Sequence, residues 1–150
     1  MFAFGHSTAG YLLMLLFLPL AFNNLLFFIV VAFLSILPDV DLILNLKHRT
    51  LTHSIYSVIP FILIGLIIFT ILSYFTYFSI SIYTLIVFLF FLWLQHIILD
   101  MVYGKVELFK DKRIGLGTEI FDRNSLGLCR LDMILGFIFL SIAWLIGVFM

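Results

Sequence analysis

The run ISIYTLIVFLFFLWLQHIILD, residues 80–100, carries no Lys, Arg, Asp or Glu until its last residue. It exceeds the roughly 20 apolar residues a helix needs to cross a bilayer core of about 30 Å. Its end differs in character. His96 and Asp100 stand four residues apart, which puts both on one face of a helix, where they can reach a common atom. A metal ion is the obvious common atom, and a hydrogen-bonded interfacial pair is the bland alternative.

Four more apolar runs flank this one. They cover Phe4 to Phe22, Leu25 to Leu37 with a resumption after Pro38 through Val40 to Leu46, Ile55 to Leu72, and Leu131 to Phe149. Pro38 disfavours helical geometry at Leu37 and predicts a kink or restart there. The 150-residue chain is 65% hydrophobic, 18% aromatic and 11% charged, with mean hydropathy +1.30. Soluble domains are roughly 45–50% apolar and about 25% charged. The expected fold class is therefore all-α: a polytopic membrane protein of about five transmembrane helices, one domain over residues 1–150, with a loop or cap on one side. Nothing resembles a linker or an internal repeat.

Other classes fall away. Cys129 is the single cysteine, so no internal disulfide is available and thiolate chemistry has no Cys-x-x-Cys; it reads as a small packing residue. Zero net charge gives no basic field for nucleic acid. The N-terminus lacks a basic n-region and an Ala-x-Ala-like cleavage site, and reads as a retained first helix.

Following five spans back and forth puts the N-terminus, Asp39 to Thr52, and Asp100 to Arg130 on one side. Every Lys and Arg lies there (Lys47, Arg49, Lys105, Lys110, Lys112, Arg113, Arg123 and Arg130). The positive-inside rule makes that side cytoplasmic, and the expected location is the cell membrane. Asp, Glu and His follow the same sorting.

Several of those residues can do chemistry. Asp39 and Asp41 sit in apolar sequence, where an unpaired charge costs about 2.5 to 3.5 kcal/mol or more. In a regular helix they would point about 200° apart, but a break at Pro38 lets both converge. Asp39 as a helix cap accounts for one carboxylate and not both. In His48-Arg49-Thr50-Leu51-Thr52-His53, Thr52 is a natural N-cap that would put His53 in a first turn, where the positive helix end favours neutral imidazole. Arg49 can grip an anionic oxygen with its planar fork, or can simply anchor the inside face. His6 stands among small residues that let helices approach closely. Met101 to Arg130 reads as an irregular or partly amphipathic cap, and the fifth span, with only Asp132 at its mouth, as packing.

A mixed set of His6, Asp39, Asp41, His48, His53, His96 and Asp100 exceeds what one tetrahedral ion needs and suits one or two divalent transition metals, Zn²⁺ first and Mn²⁺ or Fe²⁺ as alternatives. Two ions would activate water and clamp a phosphoryl group.

The series Gly-His, Leu-Pro-Asp-x-Asp, His-Arg-x-x-Thr-His-Ser and His-x-x-x-Asp, in this order between apolar spans, resembles the YdjM-like family of small inner-membrane metal-dependent hydrolases. More distantly it is similar to the zinc-dependent phospholipase C and nuclease superfamily. The resemblance covers roughly Gly5 to Gly104. It implies His6, Asp39, Asp41, His53, His96 and Asp100 as metal ligands, His48 and Arg49 as further site residues, and phosphoester hydrolysis. The family pattern continues with Thr and Gly after the Asp, whereas this chain reads Met101-Val102-Tyr103-Gly104.

The expected function is thus a membrane-bound metal-dependent hydrolase acting on a lipid or membrane-proximal phosphoester. Asp41 or Glu119 would be the base toward the attacking water, and Arg49 would steady the phosphoryl charge. Metal binding or transport without hydrolysis, and a helical scaffold, are the alternatives. Transport predicts ionisable residues running toward the far side, and spans three and five offer none.

Overall fold

The computed structural model describes residues 3–19, 25–40, 52–76, 79–103, 106–109, 112–115 and 125–149. It is almost entirely helical. The helices are α1 (Ala3–Phe17), α2 (Leu25–Ile36), α3 (Val58–Thr76), α4 (Ile82–Tyr103) and α5 (Ser125–Phe149). Each corresponds to one of the five apolar runs.

Span length separates them. Among the described residues two segments, Ile55–Thr76 and Ile82–Val102, are long and apolar enough to cross a membrane, and Phe4–Phe17, Leu25–Asp39 and Asp132–Ile146 are shorter apolar stretches. The reasons are local. At 1.5 Å per residue α1 and α2 extend only about 22 and 18 Å, because Pro19 cannot continue the first and Pro38 interrupts the second.

At Pro38 the chain tightens into a 3₁₀ turn over Leu37–Asp39, closed by the Val40 N–H on the Leu37 carbonyl. The expected restart is therefore a tight turn that buries Asp39. Before α3 a second 3₁₀ turn, Ile55–Ser57, takes Ser54 as its N-cap residue. This corrects the expectation that Thr52 caps the helix: Thr52 and His53 lie in a turn ahead of it.

Helix α4 is the hub, packing on α1, α2 and α3. Its inward face, Leu85, Phe88, Leu89, Leu92, Trp93 and Ile97, joins Met14, Phe27, Val31, Phe61 and Phe69 in one apolar core. Helix α5 lies mainly on α1. Gly136 makes that approach possible, since a Cβ there would overlap the Phe4 ring, which also meets Phe137 edge to face at 5.6 Å.

The outward faces are as apolar as the core. Ile59, Leu63, Ile67 and Ile71 form an exposed stripe along α3, and Ile134, Phe137, Ile138 and Leu145 another on α5. Contiguous patches of this size are foreign to soluble monomers and natural in lipid. Within the expected cap, Val106–Phe109 (β1) and Lys112–Ile114 (β2) pair as a short antiparallel ribbon.

Candidate metal centre

Three segments deliver four polar side chains to one buried point. The 3₁₀ turn after α2 gives Asp39, the turn before α3 gives His53, and the C-terminal turns of α4 give His96 and Asp100. One ligand atom from each lies within 4.8 Å of all the others, and all four residues are buried.

The separations are those of a first coordination sphere. His53 Nε2 lies 3.2 Å from His96 Nε2 and 3.4 Å from Asp39 Oδ1. His96 Nε2 is 3.5 Å from Asp39 Oδ1 and 3.8 Å from Asp100 Oδ2. Bonds of about 2.0–2.1 Å to a tetrahedral ion put neighbouring ligand atoms about 3.3 Å apart. One edge is shorter, the 2.7 Å between His53 Nε2 and Asp100 Oδ2. Two imidazoles and two carboxylates can hold a metal ion here.

The surrounding groups orient the donors. His96 Nδ1 lies 2.6 Å from the Ser35 carbonyl; a carbonyl only accepts, so Nδ1 carries the hydrogen and a neutral ring keeps its lone pair on Nε2, toward the cluster. His53 Nδ1 pairs with Thr52 Oγ1 at 2.9 Å, so Thr52 serves the imidazole and not the helix end. Gly10 sets the helix spacing behind this, because a Cβ there would overlap the Ser35 hydroxyl and press on Leu92.

Charge at the site is lopsided. Burial drives the His53 imidazolium toward neutrality, but hydrogen bonds to Asp100 and Asp39 and the charges of both outweigh it and lift its pKa to about 9. A pocket that holds a proton this firmly favours a cation.

His6 stands at the cluster's edge. It is 1% exposed, its Nε2 is 3.7 Å from Asp100 Oδ1, and its ring lies 4.2 Å from that of His96. Asp100 thus turns Oδ2 toward His53 and Oδ1 toward His6. Asp41, His48, Arg49 and Glu119 lie outside the described residues.

Two contacts were not readable in the chain. Asp132, at the mouth of the span whose sequence reads as packing, accepts the Gly5 N–H at 3.0 Å, one residue before His6. It satisfies a donor that the first turn of α1 would otherwise leave open, and places negative charge at the positive helix end. Gln95 reaches the His6 carbonyl with Nε2 at 3.4 Å. No family model, curated protein or solved structure matches the chain.

Proposed function

We propose that this protein is a membrane-embedded, metal-dependent hydrolase that cleaves a phosphoester of a lipid or other membrane-proximal substrate. The observation that carries this reading is the buried convergence of Asp39, His53, His96 and Asp100, at the end of the bundle where α4 leaves its apolar run. A divalent ion bound there supplies Lewis acidity and makes a water acidic enough to act as nucleophile near neutral pH.

The chain's own groups take the remaining roles. Asp39, His53, His96 and Asp100 hold the first ion, with Ser35 and Thr52 fixing the two imidazoles. Asp100 Oδ1 faces His6 at the edge of that set, and these two, together with Asp41 and His48, would hold a second ion. Asp41 or Glu119 takes the proton from the attacking water, and Arg49 neutralises charge developing on the phosphoryl oxygens. The resemblance to the YdjM-like family supports the same assignment. Five apolar helices, two of span length, and the one-sided Lys and Arg support a multi-pass protein whose site faces the cytoplasm.

Elemental analysis of the detergent-purified protein tests the site. Close to two equivalents of transition metal are expected, and the double variant His96→Ala, Asp100→Ala should lose them; full retention in that variant overturns the assignment. A panel of lipid phosphoesters with and without chelator tests the reaction.

One feature favours a second reading. Four protein ligands, all buried, describe a closed coordination sphere, which is the habit of structural ions, whereas catalytic ions keep an open position. A non-catalytic metal site predicts firm metal retention with no chelator-sensitive turnover on any member of the panel.

A further inference from the structure

Beside the cluster lies an apolar cavity of about 160 Å³ whose walls include Pro38, Val40, Thr52, Ser57, Ile64 and Trp93. All three ligand-bearing segments contribute to it. Pro38 and Val40 flank Asp39, Thr52 precedes His53, and Trp93 sits one helical turn before His96.

The two hydroxyls of its lining are already engaged. The Ser57 hydroxyl donates to the Ser54 carbonyl at 2.8 Å and accepts the Trp93 indole N–H at 3.0 Å. Thr52 Oγ1 is engaged by His53. A polar group moved into such a space forfeits its hydration without recompense. The volume is close to that of an engineered apolar cavity of about 150 Å³ that stays dry and accepts benzene, so about six carbons of hydrocarbon fit. At the mouth, Ile64 is 42% exposed and continues the outward apolar stripe of α3 with Ile59 and Leu63. A guest therefore arrives from an apolar medium.

We propose that this cavity binds the hydrocarbon chain of a membrane lipid and so brings the lipid's head group to the metal centre. The chain-binding step stands on the cavity alone; the delivery of a head group to metal rests on the reading given under Proposed function. The occupant is an amphiphile because the cavity is predominantly apolar while its neighbour is a cluster of two imidazoles and two carboxylates.

Trp93 reports on the cavity directly. The chain has two tryptophans, so Trp144→Phe leaves Trp93 as the sole emitter, and it is 2% exposed. That variant is placed in nanodiscs of phosphatidylcholine brominated on its acyl chains, with unbrominated lipid as reference. The expected result is loss of most Trp93 emission in the brominated discs. Adding Ile64→Phe, which fills the cavity from its mouth, should restore the emission, whereas Ile64→Ala should deepen the quenching. Equal quenching with and without Ile64→Phe, or no quenching at all, overturns the proposal. Metal content measured on the same samples separates the two readings: quenching that responds to Ile64 in protein devoid of metal keeps the chain site and removes the metal centre, and retained metal without quenching does the reverse.

Discussion

Nε2 of His53 and Oδ2 of Asp100 are 2.7 Å apart, an ion-pair contact that joins the turn before α3 to the last turns of α4 at the very position where a metal would sit between them. Proton and metal therefore compete for the same pair.

That competition sets a pH dependence. With the His53 pKa raised from 6.5 to about 9, binding an ion must expel a proton at any pH below about 9. Metal affinity should climb about tenfold per pH unit from neutrality to pH 9 and then level off. For the metal-free protein the sign is opposite. A raised folded-state pKa contributes stability that is complete below about 6.5 and is lost as pH rises through about 9. Competition titrations with a chromophoric chelator, and thermal unfolding of the metal-free form across that range, check the two halves.

Much of this site was legible because it is built from local signals. His96 and Asp100 follow from helical spacing alone, and Asp39 from a carboxylate placed directly after Pro38 in apolar sequence. His53 was legible as a donor, but its setting was not: Thr52 carries a good capping side chain, yet its hydroxyl pairs with the imidazole while Ser54 takes the cap position. Which of two nearby hydroxyls begins a helix depends on what else competes for each. The Asp132 to Gly5 bond joins residues 127 apart in sequence, and no periodicity carries such a pairing. The ribbon of β1 and β2 was missed because strands of four and three residues give too few alternations to register. Two helices are of span length among the described residues; apolar runs measure composition, while Pro19 and Pro38 end two of the helices.

Gly10→Ala should damage the metal centre from a distance. The added methyl overlaps the Ser35 hydroxyl and crowds the Ser35 Cβ and Leu92, so the Ser35 hydroxyl is driven off its Val31 bond and α2 is pushed outward with the Ser35 carbonyl that orients His96. Overpacking of this kind costs about 1–3 kcal/mol, and loss of an orienting partner typically weakens metal binding about 10–100-fold. Adding Ser35→Gly to Gly10→Ala removes the clash, keeps the carbonyl, and should recover most of the affinity in the same competition assay.

Asp132→Ala should loosen the start of α1. Removing a capping acceptor costs about 0.5–2 kcal/mol, and Asp132→Asn, which keeps the acceptor but not the charge, should cost less. Because His6 follows Gly5 directly, the second metal equivalent should weaken before the first. Thermal unfolding in detergent and stepwise metal titration of both variants measure this; equal unfolding temperatures for Asp132→Ala and the parent protein would show that the bond contributes nothing.

The exposed α3 stripe carries the membrane prediction. Ile67 is 60% exposed, at the middle of an uncharged helix, and reaches neither the core nor the metal centre. In a water-soluble protein Ile67→Arg would be neutral or would improve solubility. If the stripe faces lipid, an arginine at mid-helix costs about 2.5–3.5 kcal/mol on insertion, and the chain should insert poorly and be degraded. Tyr74→Arg, near the helix end where a long side chain can reach the interface, should be tolerated. Alkaline extraction of membranes from cells making each variant distinguishes the cases: the parent and Tyr74→Arg remain in the pellet, while Ile67→Arg is depleted from it. An Ile67→Arg protein that accumulates normally in the soluble fraction would place this stripe outside the bilayer.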